Sequence, residues 1–153
     1  MLLWSVDDPL PSTEADPKEV ARQYVEVVWN RGDIDALDGI LTAHQLYHDP
    51  TGDAEEPLLE FKDFIQGYRQ AFPDLHLKVD RYIAEGDSVA FWGRTTGTHE
   101  GSFMGLDPTG KTIDIMGINV VRVEDGKIAE RWANFDLFGL LQQLGANPLS
   151  DRD

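Results

Sequence analysis

The sequence predicts an α+β fold in which three N-terminal helices precede a meander of four long antiparallel strands. Three observations predict it. Apolar residues recur at helical spacing up to residue 72, the period changes to two after Pro73, and an Asp-Gly pair joins the last two alternating runs. With 153 residues, 41% of them apolar, the chain suits one domain with a core and an internal pocket. We place that domain at residues 16–146, with tails at 1–15 and 147–153.

The first helix starts where Asp16-Pro17-Lys18-Glu19 supplies an N-cap acceptor, a proline at the first helical position and a glutamate at the third. Val20, Tyr24, Val27 and Val28 form its apolar face. Asn30-Arg31-Gly32-Asp33 ends it and caps a short second helix through Leu37 and Ile40. Tyr47 to Gly52 reads as a brief extended piece running into a turn, because the residue before Pro50 avoids helical geometry. A third helix, about Leu58 to Phe72, carries Phe61, Phe64, Ile65 and Tyr68 on one face, and Pro73 stops it.

Leu75, Leu77 and Val79 then alternate with polar residues, Glu85-Gly86-Asp87-Ser88 turns the chain, and Val89, Phe91 and Gly93 begin a second strand. A glycine-rich loop spans Gly101 to Gly110. Strands Ile113 to Val123 and Ile128 to Phe135 are joined by Glu124-Asp125-Gly126-Lys127, a short hairpin signal. A last helix, Leu137 to Leu144, stops at Gly145. Strands this long coil, and Gly93, Gly97 and Gly117 mark places for bends or bulges, so the sheet curls around the helices and leaves a cavity.

Twenty-eight acidic residues against 13 basic ones leave a net charge of −15, which repels nucleic acid and anionic membranes. There are no cysteines, so thiolate metal sites and cysteine nucleophiles are absent. The N-terminus lacks a basic n-region, and no run of about 18 apolar residues occurs, so the cytoplasm is the expected location. No P-loop, dinucleotide fingerprint or G-x-S-x-G elbow occurs. His44 and His48 lack a third ligand nearby. No cofactor or metal is expected.

On the last strand Glu130, Trp132, Asn134 and Asp136 share parity, so Trp132 and Asp136 are expected on one wall of the pocket. A carboxylate beside an indole in an apolar cavity gains proton affinity and suits a general base. Asp136 also sits at a strand-to-helix junction, where capping the last helix is the alternative role. His99, at a strand end beside the glycine-rich loop, is a second candidate for proton transfer, against a rim histidine without a role. Asn119 shares parity with Ile115, Gly117 and Val121 and could bind a substrate carbonyl if that face points inward. Trp92, Phe103, Met116, Trp132 and Tyr68 are candidate walls for a flat apolar ligand, and His48 with Asp49 a candidate polar pair at the mouth.

Thr98-His99-Glu100-Gly101-Ser102-Phe103-Met104-Gly105, Pro108-Thr109-Gly110-Lys111, and Asp125 to Trp132 followed by Asp136, resemble the SnoaL-like polyketide cyclases (ester cyclases). Trp29-Asn30-Arg31-Gly32-Asp33 resembles the early helix signature of the wider nuclear transport factor 2-like superfamily. The similarity covers about residues 17 to 145. It implies a cone-shaped α+β fold, a homodimer or larger homo-oligomer, and a pocket between sheet and helices for a small polyketide-like substrate. It also implies that Asp136 removes a proton alpha to a carbonyl, closing a ring by aldol-type condensation without cofactor. A histidine beside Asp136 on the last strand is missing, which leaves Asn119 as the polar partner by parity. Two other readings compete. An epoxide hydrolase or isomerase on the same cone would recruit Asp136 with Arg94 and Asp49 or Asp114, and a non-catalytic binding or dimerisation module would use Asp136 only as a helix cap.

Overall fold

The computed structural model describes residues 16–146 and Leu149, so apart from that residue the expected tails lie outside the described residues. Helix α1 (Pro17–Gln23) opens with the Asp16 carboxylate accepting from the Lys18 N–H at 3.1 Å. It runs on without a break as a π-helical segment, Tyr24–Asn30, and buries Val20, Ala21, Tyr24, Val25 and Val28. Asp33 caps a single 3₁₀ turn, Ile34–Ala36, leading into α2 (Leu37–Ile40). The Asn30 amide then clips this helical layer to the sheet: it accepts from the Leu77 N–H at 2.7 Å and donates to the Leu77 carbonyl at 3.0 Å.

The extended piece around Tyr47 is larger than its sequence pattern indicates. It forms two strands, β1 (Leu41–Asp49) and β2 (Gly52–Pro57), before α3 (Leu58–Ala71). The four expected strands follow as β3 (His76–Glu85), β4 (Ser88–Thr98), β5 (Thr112–Glu124) and β6 (Lys127–Phe135), and α4 (Leu137–Gln143) closes the fold. The sheet therefore has six strands in the order β2-β1-β6-β5-β4-β3, and it is mixed, because β1 runs parallel to β6. The other neighbours are antiparallel.

Two bulges shape this sheet. In β3, Asp80 is an extra residue between the pairs Val79–Gly93 and Arg81–Trp92. A Cβ at Gly93 would fall 1.9 Å from the Lys78 carbonyl oxygen, so only glycine lets the bulged strand lie this close. In β6, Ala129 is the extra residue between Val123–Ile128 and Arg122–Glu130. The hairpin joining β5 to β6 turns at Asp125 and Gly126 with φ of 51° and 80°, the doubly positive geometry that an Asp-Gly pair favours.

The concave face carries the core. Helices α1 to α3 cover one half, around Phe61, Ile65, Val89, Phe91, Val121 and Ile128. Leu140 of α4 and Leu144, its C-cap, pack with Phe72, Leu75, Phe103, Ile113 and Ile115 in the other. Between these two clusters the packing is incomplete, and a cavity remains.

Candidate active site

Strand pairing fixes which side chains face that cavity, since residues directly opposite on neighbouring strands share a face. One inner row is Tyr47, Arg131, Val121 and Val89; the next holds Ala133, Asn119 and Phe91; a third holds Phe135, Gly117 and Gly93. Ala133 and Gly117 leave room that larger side chains would fill. Over this opening the helices place Tyr24, Trp29, Phe64 and Tyr68, and the result is an apolar chamber with a volume of about 90 Å³. A wider vestibule of about 640 Å³ adjoins it. Tyr47, Phe64, Tyr68, Ala133 and Phe135 line both. Such a space, mostly apolar with aromatic walls and a few polar groups, has the character of a small-molecule site.

Among the described residues lining the chamber, Arg131 is the only charged one. Its guanidinium lies 3.8 Å from the Phe61 ring centroid and 4.6 Å from that of Tyr47. Nε–H donates to Gln45 Oε1 at 2.7 Å, Nη2–H to Glu56 Oε2 at 2.7 Å, and Nη1–H makes a long 3.5 Å contact with the Tyr24 hydroxyl. Burial pushes the Glu56 carboxyl above the ordinary range, outweighing the nearby Arg131 charge that pulls it down. Burial likewise pushes the Tyr68 phenol up to about 12, and burial together with the Asp49 charge does the same for Tyr47. Both phenols therefore keep their protons at neutral pH and can donate.

Asn119 lines the chamber with its amide free of any partner among the described residues. Across Ala133 from it stands Asp49, one residue past the His48–Trp132 pair and on the inner side of β1 by alternation from Tyr47. Asp49 lines the vestibule. Its carboxylate accepts from the Thr51 N–H at 2.7 Å and the Thr51 hydroxyl at 2.5 Å, and these bonds hold its pKa below the usual carboxylate value.

The residues proposed from sequence divide between three places. Asn119 and Tyr68 line the chamber, and Tyr68 and Phe103 the vestibule. Trp92, Met116, Trp132 and His48 lie on the opposite, outer face: Trp132 pairs with Val120 and His48, Trp92 with Ile118, and the Met116, Ile118 and Trp132 side chains are exposed. The shared inner wall expected for Trp132 and Asp136 is thus corrected, because the Ala129 bulge turns the odd-numbered residues of β6, Arg131, Ala133 and Phe135, inward. Asp136 is exposed, and its Oδ1 accepts from the Gly139 N–H at 2.8 Å as the N-cap of α4.

His99 sits neither on the rim nor in the chamber. It is fully buried against Phe72, its Nδ1 accepting from the Thr109 N–H at 3.2 Å, and its backbone joins Lys111 and Gly110 to close the base of the glycine-rich loop. His48 pairs with Asp53 (2.6 Å) and Glu130 (2.7 Å) rather than with Asp49. Arg94 and Asp114, the partners an epoxide-opening site would need, bind each other at 2.6 Å on the exposed surface.

Comparison with known proteins agrees with this architecture. The family model for SnoaL-like polyketide cyclase matches residues 18–144. This chain belongs to the SnoaL-like polyketide cyclase family. Among solved structures, the candidate polyketide cyclase IdmH from Streptomyces antibioticus is 30% identical, with a TM-score of 0.75 over 86% of this chain and 99% of that one. AclR from Streptomyces galilaeus, a candidate hydroxylase, is 32% identical with a TM-score of 0.78 over 89% of this chain and 85% of its own. A candidate polyketide cyclase from Acidithiobacillus ferrooxidans is 29% identical with a TM-score of 0.77, covering 88% and 98%. No curated protein matches the chain.

Within this SnoaL-like scaffold, Arg131 is the site residue the alternation pattern assigned to the wrong face. A signal for it does exist in the sequence: if Asn119 faces inward, the residues paired with it and its neighbours must too, but naming them requires knowing the register across the hairpin. Among the described residues no helix is long and apolar enough to cross a membrane.

Proposed function

We propose that this SnoaL-like protein binds a small polyketide-like ester in the chamber and vestibule and closes a ring in it by aldol-type condensation. One observation carries the reading: Asp49 and Asn119 flank the small side chain of Ala133 on the inner face, two strand spacings or about 10 Å apart across the sheet. A substrate lying over Ala133 meets a carboxylate on one side and a free amide donor on the other. Asn119 donates to a carbonyl oxygen and stabilises the enolate as charge develops there. Asp49, ionised throughout the neutral range, takes the alpha proton, and the aromatic walls fold the chain so that the enolate carbon meets the second carbonyl. The protonated Asp49 then returns its proton to the new alkoxide.

Asp136 has a different part in this scheme, that of a helix cap outside the cavity. Comparing turnover of β-keto ester probes by wild type, Asp49→Asn and Asp136→Asn tests the assignment. Loss of a positioned base costs about 10²- to 10⁴-fold, so Asp49→Asn falls by that factor. Asp136→Asn keeps full turnover, because asparagine caps a helix about as well as aspartate. The reverse pattern refutes the scheme. A second reading, binding without turnover, is favoured by the absence of any carboxylate or imidazole among the described residues lining the inner chamber. It predicts ligand-induced thermal stabilisation with no product.

A partner is part of the proposal. Leu46, Met116, Ile118 and Trp132 are 47%, 49%, 47% and 37% exposed on the outer sheet face, where Ile118 and Trp132 line a shallow groove beside His48. Exposed apolar side chains of this size mark a contact surface, and the occupant that fits the family is a second copy of the chain.

A further inference from the structure

We propose that Arg131 anchors the ligand by its oxygen end: the guanidinium receives a neutral carbonyl or phenolic oxygen at the leading tip of a flat apolar ligand. The inference rests on the chamber-binding reading above and names the chemistry the chamber selects.

The geometry of the guanidinium leads to this. The Phe61 and Tyr47 ring centroids lie 3.8 and 4.6 Å from the guanidinium carbon, and a guanidinium hydrogen-bonds only through the N–H groups along its edge. Five such donors exist. Nε–H is committed to Gln45 and one Nη2–H to Glu56, both at 2.7 Å, while Nη1 has only the 3.5 Å contact to Tyr24, at the limit of a hydrogen bond. The residue is 5% exposed, yet it lines the chamber, so its uncommitted donors are closed off from bulk water and border that space. A second donor is stranded in the same cluster. Gln45 accepts from Arg131 through Oε1, which leaves its buried NH₂ group without a partner among the described residues. Buried donors left unpaired cost free energy, and an acceptor oxygen arriving from the chamber relieves that cost at Arg131, which lines it.

Charge decides which oxygen. Glu56 already neutralises Arg131, and the whole chain carries −15, so a carboxylate gains little here and loses its hydration. A neutral acceptor keeps the hydrogen bond without that loss. The ligand class is therefore an aromatic or polyene body tipped with a ketone, ester carbonyl or phenol.

A matched trio of ligands tests this on the full chain: 2-acetylnaphthalene, its isostere 2-isopropenylnaphthalene, in which C=CH₂ replaces C=O, and 2-naphthoate. Affinities are measured by titration calorimetry. Wild type should bind the ketone about tenfold more tightly than either the alkene or the carboxylate. The Glu56→Leu/Arg131→Met protein, which removes both charges together, should bind ketone and alkene equally. In wild type labelled with ¹⁵N, the Arg131 side-chain resonances should move with the ketone and stay still with the alkene, a readout that requires no variant to fold. Equal affinity of wild type for ketone and alkene overturns the assignment while leaving chamber binding intact. A ketone preference that survives in the double variant, or that disappears in Asn119→Ala with Arg131 present, also overturns it. Failure of wild type to bind any of the three removes the chamber-binding reading and the anchor with it.

Discussion

Replacing Arg131 by methionine should cost the protein far more than replacing Arg131 and Glu56 together. The side chains of Arg131 and Glu56 are 6% and 18% exposed and meet at 2.7 Å. Removing one member of a fully buried pair costs about 3–5 kcal/mol, because the remaining charge is left in a poor solvent for it. Glu56 keeps some contact with water, which places Arg131→Met near the lower end, about 3 kcal/mol. For a chain of this size that corresponds to a fall in Tm of roughly 6–12 °C. In Glu56→Leu/Arg131→Met no charge remains to be stranded, and the cost falls to that of the buried Gln45 carbonyl left without its donor, so the double variant should lie about 1 kcal/mol below wild type. The single variant also has a pH signature. Burial already raises the Glu56 pKa, and losing Arg131 raises it further, so the folded state takes up a proton that the unfolded chain does not hold. The deficit is then full above the raised folded value and shrinks as pH falls towards the ordinary carboxylate range. Thermal melts of the three proteins at pH 5 and pH 8 measure both effects. Equal losses in single and double variants, or a deficit of Arg131→Met that is the same at both pH values, would refute the view that Glu56 depends on Arg131.

Two further outcomes follow from the outer face. The hydrogen bond from His48 to Asp53, and next that to Glu130, raise the His48 pKa, so the imidazolium is the form the fold favours. Its contribution to stability is complete below the ordinary imidazole value of about 6.5 and is lost as pH rises through the raised folded value. The Tm of wild type minus that of His48→Gln should fall across that window, and parallel curves would contradict it. On the proposal that a second copy covers the outer face, Ile118→Lys, which places a charge there, should lower the sedimentation coefficient from that of a dimer to that of a monomer; an unchanged sedimentation coefficient would show that this face has no partner copy.

The helices and the four long strands were legible because each has a strong local signature: the Asp16-Pro17 start, the stop at Pro73, the Asp125-Gly126 turn. Strands β1 and β2 were not. The β2 sequence Gly-Asp-Ala-Glu-Glu-Pro contains no β-branched or aromatic residue, and its charges suit an edge strand that must resist further pairing. Its partner β1 buries a glutamine, Gln45, at a position where alternation searches for an apolar side chain. The bury-and-pair logic of an edge is a tertiary fact that six residues of sequence do not carry.

The site was half legible, and a single residue accounts for the division. Along β5 the alternation runs unbroken, with Ile113, Ile115, Val121 and Val123 buried, so the inward face of Asn119 could be read from its own strand. Along β6 the same reading begins correctly, because Ile128 is fully buried. From Ile128, strict alternation carries Glu130, Trp132 and Asp136 inward with it. Ala129 interrupts that count. Having no partner opposite, it advances the register by one, and every later side chain of β6 changes face. Trp132 and Glu130 then meet His48 on the outside, Arg131 and Ala133 enter the cavity, and Asp136 emerges at the junction free to cap α4. Local propensity scarcely distinguishes a bulged alanine from a regular one, since what selects the bulge is the sum of everything beyond it. Strict alternation would leave the Arg131 guanidinium without Gln45, Glu56 and Tyr24, and would press the Trp132 indole and two carboxylates into an apolar chamber. The bulge is therefore imposed by the polar chemistry of β6, and it also determines which residues meet a ligand.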